Sequence, residues 1–418
     1  MERTHLGWGV LLLSFGCGGG SGNSVTANGG ATGINSTSGG VPSIGGAFSG
    51  TGGFTSAGGA TAAGGSTIDV SQLAINGAHS CVRLADGRAA CWGANDNGTL
   101  GDGTTTYRSS AVMVQDLSGV ASISAGLGSN CAVLVDGTVK CWGPNDHGQL
   151  GDGTTDNQLI PVGIVGLSQV STVAVGFWHA CALRTDGTVY CWGDNSYGQL
   201  ANGTTTASLT PIVVPGLSSV ARIALGPNQS CARLQDGSVR CWGANDFSQL
   251  GDGSNLQRLS PVVVSGLTDA TEISLGSRHS CAIVTDGTVR CWGANLDGGL
   301  GNGTLTASMI PVVVTGLQGA TQISLGEYHS CVTLSDNTLK CWGYNGLGQL
   351  GDGTKTDRTT PVSVVGLSNV LAVGTGSEHT CALQRNGAVE CWGLNYDGEV
   401  GDGTNVTRAI PVPVIGLP

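Results

Sequence analysis

Apolar and polar positions repeat along this chain with a period of fifty residues. In the second copy, short apolar stretches at 120–126, 131–134 and 139–142 are separated by polar residues, and a fourth stretch at 161–165 follows a long polar loop. Stretches of this length and alternation predict β-strands. The second and third stretches flank an Asp-Gly turn, which predicts a β-hairpin.

Seven copies of equal length fill residues 67–418. Four short strands per copy predict an all-β fold, namely a seven-bladed β-propeller of four-stranded antiparallel blades with one 50-residue repeat per blade. A parallel solenoid is the structural alternative, but its coils are usually shorter and do not need antiparallel hairpins.

The order of strands within a blade is predicted from polarity. The apolar Pro-Val-x-Val stretch is expected to be the inner strand of the propeller. The third strand is expected to be an exposed outer edge, because one of its positions varies freely: Ala90, Lys140, Tyr190, Arg240, Arg290, Lys340 and Glu390. On this order the last strand, 411–417, would join the strands at 71–93 and close the ring.

The hairpin register places two cysteines opposite each other. A three-residue loop at 135–137, with glycine in the left-handed position, pairs Cys131 with Cys141 at a non-hydrogen-bonded site, where Cα atoms lie ~4.5 Å apart. Free thiols would require a reducing compartment, and two cysteines supply half of a zinc site. We therefore predict one disulfide per blade: Cys81–Cys91, Cys131–Cys141, Cys181–Cys191, Cys231–Cys241, Cys281–Cys291, Cys331–Cys341 and Cys381–Cys391. The tryptophan after each second cysteine is expected to pack between blades.

Composition and the N-terminus indicate export. Paired cysteines suit an oxidising compartment. Residues 1–17 are predicted to be a signal peptide of lipoprotein type with Cys17 as the lipidated residue, or alternatively an ordinary signal peptide. Residues 18–66 are rich in Gly, Ser and Thr and are predicted to be a disordered tether. The expected location is the bacterial cell envelope, with the chain anchored in the outer membrane or secreted.

The motifs Gly-x-x-His-Ser/Thr-Cys-Ala-Leu, Trp-Gly-x-Asn-x-x-Gly-Gln-Leu-Gly-Asp-Gly-Thr and Pro-Val-x-Val-x-Gly-Leu resemble the repeats of the regulator of chromosome condensation family over residues 71–418. The resemblance implies the propeller fold. The family founder is a nuclear exchange factor for a small GTPase that also binds chromatin, and an exported bacterial member inhibits a β-lactamase through its propeller face. No residue of this chain can be matched to the exchange site.

Recurring polar residues invite a catalytic or metal-binding interpretation, but a structural one is favoured. The histidines at 79, 179, 279, 329 and 379 are replaced by Ser129 and Gln229 in two copies, so we expect them to hydrogen-bond nearby backbone. Asp102 and its equivalents give way to Asn202 and Asn302, which favours Asx turns over calcium sites. No nucleophile or phosphate-binding motif occurs. We expect no catalytic residue, metal or cofactor.

One rim is the candidate binding surface. The loop before the first cysteine and the loop after Trp-Gly emerge at the same rim, opposite the Asp-Gly turns. Aromatic residues and arginine dominate protein–protein hot spots. The positions that carry such residues at this rim are Phe177, Trp178, Tyr197, Phe247, Arg278, Tyr328, Tyr344 and Tyr396.

The main hypothesis is a non-catalytic, tethered, monomeric propeller that binds an unknown protein or other macromolecule through this rim. A net charge of −11 argues against nucleic acid, and membrane contact is expected only through the lipid anchor. The alternatives are nucleotide exchange on a small GTPase and an enzyme that uses the central channel.

Overall fold

The computed structural model of the protein describes residues 69–418. The predicted signal peptide at 1–17, its lipidation site Cys17 and the predicted tether at 18–66 lie outside the described residues. The described part consists of seven four-stranded antiparallel sheets, each formed by four consecutive strands. The predicted all-β propeller with one repeat per blade is confirmed.

The first strand of each blade lies at the inner edge of its sheet. These strands are β1 (Val70–Asn76), β5 (Val120–Ala125), β9 (Val170–Val175), β13 (Val220–Leu225), β17 (Ala270–Leu275), β21 (Ala320–Leu325) and β25 (Val370–Thr375). The second strands follow: β2 (His79–Leu84), β6 (Asn130–Leu134), β10 (His179–Arg184), β14 (Gln229–Leu234), β18 (His279–Val284), β22 (His329–Leu334) and β26 (His379–Gln384).

The third strands carry the second cysteine of each repeat: β3 (Ala89–Gly93), β7 (Val139–Gly143), β11 (Val189–Gly193), β15 (Val239–Gly243), β19 (Val289–Gly293), β23 (Leu339–Gly343) and β27 (Val389–Gly393). The fourth strands form the outer edges: β4 (Arg108–Met113), β8 (Gln158–Gly163), β12 (Ser208–Val213), β16 (Arg258–Val263), β20 (Ser308–Val313), β24 (Arg358–Ser363) and β28 (Arg408–Pro413).

The predicted hairpin register is present in every blade. Cys131 pairs with Cys141 across β6 and β7, and Gly137 in the turn has a φ of +78°. The two Cα atoms lie 4.1 Å apart and the sulfurs are bonded. The other six predicted cysteine pairs are likewise disulfides. Each blade is therefore crosslinked within its own central hairpin.

The predicted strand order was wrong at the outer edge. The Pro-Val-x-Val stretch lies in the fourth strand, which pairs only with the third and is half-buried or exposed along most of its length. The third strand has a hydrogen-bonded neighbour on each side. The variable residue Lys140 is half-buried because its side chain projects from one face of the sheet. The outer strand is apolar because it also packs on the preceding blade, as Leu209 does against the Gly148 loop.

The predicted closure by a shared blade was also wrong. Strand β28 pairs with β27 in its own sheet, and β1 to β4 form the first blade, which the C-terminus contacts through one hydrogen bond, from the Ala111 N–H to the Ile415 carbonyl at 3.1 Å. In other respects blade 7 meets blade 1 as the other blades meet their neighbours. The Gly403 N–H donates to the Ser109 carbonyl at 2.8 Å, which is the contact that Gly153 makes with Leu209 at 3.2 Å between blades 2 and 3.

Tryptophan side chains pack in the junctions between blades, as predicted. All seven that follow the second cysteine are buried, with at most 1% of their surface exposed. The indole N–H of Trp242 donates to the Gln199 carbonyl of the preceding blade at 2.8 Å, and that of Trp92 donates across the closing junction to Glu399 at 2.9 Å. Nowhere in residues 69–418 is there a helix of the length and apolarity that crossing a membrane requires.

Candidate functional site

Two sets of loops form what we call the upper face of the propeller. One set joins the first strand of each blade to the second, and the other joins the third strand to the fourth. The lower face holds the Asp-Gly turns and the links between blades. All eight aromatic and arginine residues of the predicted binding rim lie in upper-face loops.

The base of the upper face is the same in every blade. Asn145 accepts a hydrogen bond from the Leu150 N–H at 2.9 Å, and its amide group donates to the Thr154 carbonyl and to Asp152. Asp152 in turn accepts bonds from the backbone N–H and the hydroxyl of Thr154. The predicted Asx turn is confirmed, and the asparagine fixes the long loop from beneath.

A second layer links neighbouring blades through histidine at five of the seven junctions. Nε2 of His179 lies 2.8 Å from the hydroxyl of Ser230 in the next blade. That hydroxyl donates to the Gln199 carbonyl at 3.2 Å, so His179 is the donor to Ser230. The partner is therefore a side chain of the next blade rather than the backbone expected from the sequence. The same link joins His279 to Ser330, His329 to Thr380, His379 to Ser80 and His79 to Asn130.

These histidines are neutral in the folded protein. Burial lowers the pKa of His79, His179 and His279 to about 4 and that of His329 and His379 to about 3. Where glutamine replaces histidine, Gln229 donates instead to the Gly276 carbonyl at 2.7 Å. The imidazoles thus serve as fixed hydrogen-bond donors between blades.

Above this base the loop tips differ between blades and form two aromatic clusters. In the first, Trp178 of blade 3 stacks on His147 of blade 2, with ring centroids 4.5 Å apart. Phe177 meets the same indole edge-on at 4.2 Å. His147 was not predicted from the sequence, since a single histidine in one loop carries no repeating signal.

The second cluster spans three blades around an arginine. The guanidinium of Arg278 lies 4.6 Å from the ring centroid of Phe247 in blade 4 and 5.4 Å from that of Tyr328 in blade 6. Tyr344 contacts Tyr328 edge-on at 6.3 Å. Arg278 therefore lies between two aromatic rings, and it holds the tips of three loops together.

Six of the eight predicted rim residues belong to these two clusters. Tyr197 and Tyr396 belong to neither, and 38% and 63% of their surfaces are exposed. The strand pattern in the sequence predicted that these aromatic residues lie at one face. It did not predict which rings meet, because each cluster joins loops from blades about fifty residues apart in sequence.

A buried carboxyl group lies under the upper face where blade 7 meets blade 1. Glu399 takes the place of the glutamines at 149, 199, 249 and 349, and its side chain is fully buried. Its Oε2 accepts the Asp397 N–H at 2.7 Å, as the Gln149 amide oxygen accepts that of His147. Its Oε1 has no hydrogen-bond partner among the described residues. Burial raises the pKa of Glu399 to about 7.

The inner strands line the central channel mainly with aliphatic and small side chains, among them Leu225, Leu275 and Leu325. The charged exception is an ion pair that joins Arg222 of blade 4 to Glu272 of blade 5. Within residues 69–418 there is no group of three or more His, Cys, Asp or Glu side chains that could hold a metal ion.

Two family models match the chain. The RCC1-like domain matches residues 54–382, and the regulator of chromosome condensation (RCC1) repeat matches residues 370–399. No curated protein sequence matches it significantly.

Solved structures show the same fold at low identity. Yeast RCC1 (Prp20), solved bound to Kap60, is 21% identical with a TM-score of 0.70, over 86% of this chain and 90% of that chain. Prp20p of Saccharomyces cerevisiae, described with its binding to Gsp1p and histones, is 22% identical with a TM-score of 0.69, over 83% and 87%. Human WBSCR16 is 21% identical with a TM-score of 0.70, over 78% and 94%.

Proposed function

We propose that this chain, which belongs to the RCC1-like domain family, is an exported, non-catalytic protein that binds a protein partner through its upper face. The observation that carries the proposal is the pair of aromatic clusters, in which Arg278, Phe247 and Trp178 occupy loop tips that the fold leaves free to vary. Tryptophan, tyrosine and arginine are the residue types that contribute most to protein–protein binding energy.

Export is supported by the seven disulfides, since such bonds persist in oxidising compartments. Lipid attachment at Cys17 and the tether at 18–66 belong to the same proposal. They would hold the propeller at the cell envelope and leave its upper face accessible to a partner.

The test is affinity capture from the native cell envelope with the full chain, followed by quantitative binding of the captured protein. Trp178→Ala with Tyr328→Ala is expected to weaken binding at least tenfold, because each change removes a ring at the centre of a cluster. A matched control removes one aromatic and one exposed apolar side chain from the lower half, Tyr190→Ala with Val135→Ala. Unchanged binding in Trp178→Ala with Tyr328→Ala, or loss of binding in the control alone, would overturn the proposal.

Nucleotide exchange makes a different prediction for the same protein. An exchange factor would accelerate release of labelled nucleotide from a small GTPase. We expect no acceleration, because no residue of this chain can be matched to the exchange site of the family founder.

A further inference from the structure

The charge of this protein is concentrated on one face. The upper-face loops, together with the arginines that begin four outer strands, carry sixteen carboxylates and six Lys or Arg side chains. The lower-face loops and the strand residues next to them carry ten carboxylates and nine Lys or Arg side chains. The upper face therefore holds ten of the eleven net negative charges, and the lower face is close to neutral.

Internal ion pairs neutralise only part of the upper face. The four arginines at the starts of outer strands each pair with the aspartate of an Asx turn, as Arg258 does with Asp252. Asp146 and Asp246, at the loop tips, are exposed and have no ion-pair partner among the described residues. Asp246 directly precedes Phe247, and Asp146 directly precedes His147, so exposed carboxylates lie beside both aromatic clusters.

Glu399 supplies a second observation that points to a cation. Its carboxyl group is fully buried and its Oε1 is unpartnered, and the charges of Asp397 and Glu378 act on it directly. The loop of Glu378 is bonded to the loop that holds Glu399, since the Glu378 carbonyl accepts the Leu394 N–H at 2.9 Å. A positive group bound above this junction would stabilise the buried negative charge of Glu399.

The aromatic clusters also favour a cationic partner. Arg278 shows that the rings of Phe247 and Tyr328 accept a guanidinium on their faces. Trp178 offers the ring type that attracts cations most strongly, and it stands at the other cluster. Lysine and arginine side chains of a partner would find exposed carboxylates on this surface, next to aromatic rings of the type that already binds one guanidinium.

We infer that the upper face binds a cationic protein surface, presented as a segment rich in lysine and arginine. The inference rests on the proposed function and names the chemistry of the partner. Nucleic acid and anionic lipid carry the wrong charge for this face. Association with a basic partner would be fast at low salt and would slow as salt screens the attraction.

The experiment measures binding of a labelled oligolysine peptide to the full chain, with an oligoglutamate peptide of equal length as the control. One variant neutralises four upper-face carboxylates: Asp146→Asn, Asp246→Asn, Asp297→Asn and Glu327→Gln. The matched variant neutralises four lower-face carboxylates: Asp136→Asn, Asp236→Asn, Asp286→Asn and Asp336→Asn. Both variants change the net charge equally. Asparagine keeps the lower turns, since Asn386 already accepts the same bond, from the Ala388 N–H at 3.1 Å.

We expect the upper-face variant to bind oligolysine at least tenfold more weakly and with a flatter salt dependence, and the lower-face variant to change by less than about twofold. Equal loss in the two variants, or tighter binding of oligoglutamate, would overturn the inference. Trp178→Ala could abolish binding of the captured partner while the upper-face variant still binds oligolysine as tightly as the parent. In that case the proposed function stands and only this inference fails.

Discussion

At the lower face every blade turns in the same way, whereas at the upper face no two blades end alike. Each lower turn closes with a side-chain oxygen that accepts a backbone N–H two residues on, at 2.9 Å from Asp136 to Thr138 and at 3.1 Å from Asn386 to Ala388. The upper loops share their asparagine base, but their tips hold tryptophan, arginine, tyrosine or glycine. Residues that close the fold are constrained, and those above it are free to serve recognition.

The histidine layer beneath the upper face is expected to give the largest effect. Its folded-state pKa values lie below the unfolded value of 6.5, so its contribution to stability is present above pH 6.5 and is lost as pH falls towards 4. Each buried histidine can contribute about 3 kcal/mol to this loss. Urea unfolding at pH 7 and at pH 4.5 should show a fall of several kcal/mol.

A matched variant separates this layer from the rest of the protein. His179→Gln copies the natural Gln229, and it should flatten the pH dependence between 6.5 and 4. An unchanged pH profile in this variant would show that His179 does not contribute to the acid sensitivity.

Glu399 is expected to have the opposite effect on the pH dependence of stability. Its folded-state pKa is raised to about 7, so its contribution is favourable at low pH and is lost as pH rises through 7. Glu399→Gln, which copies the other blades, should raise the free energy of unfolding at pH 8 by up to about 3 kcal/mol and change it little at pH 4. Equal effects at the two pH values would contradict the assignment.

The disulfides should matter for stability and not for recognition. Replacing Cys131 and Cys141 by alanine opens an eleven-residue ring and is expected to cost about 2 kcal/mol. Calorimetry should show a lower Tm, while oligolysine affinity stays within a factor of about two of the parent value. A large loss of affinity would show that the hairpin shapes the upper face.

A methyl group added in a lower-face turn should destabilise the protein more than the removal of an aromatic ring from the upper face. Gly137 has a φ of +78°, and a Cβ there would lie 3.2 Å from the Gln169 Cα, so Gly137→Ala should cost about 1 to 2 kcal/mol. Tyr396 is 63% exposed, and Tyr396→Ala should change stability by less than about 0.5 kcal/mol. Thermal unfolding of the two variants checks the order, and a reversed order would break the distinction between the faces.

Local pattern predicted most of the fold and little of the site. Hairpin register placed Cys131 opposite Cys141 because pairing across a short turn follows from residue counting. Polarity did not identify the outer strand, since the Pro-Val-x-Val stretch packs on the preceding blade and is apolar without being central. The position of Arg278 between two rings required the arrangement of blades. Glu399 could have been found by comparing copies, because it alone replaces glutamine with a carboxylate.

Hydrogen exchange of the full chain with and without bound oligolysine tests the central claim most directly. We predict slower exchange in upper-face loops, above all at 144–157, 244–257 and 276–278, and no change at the lower turns 135–138 and 235–238. Slower exchange at the Asp-Gly turns, or equal protection of both faces, would contradict the assignment of recognition to the upper face.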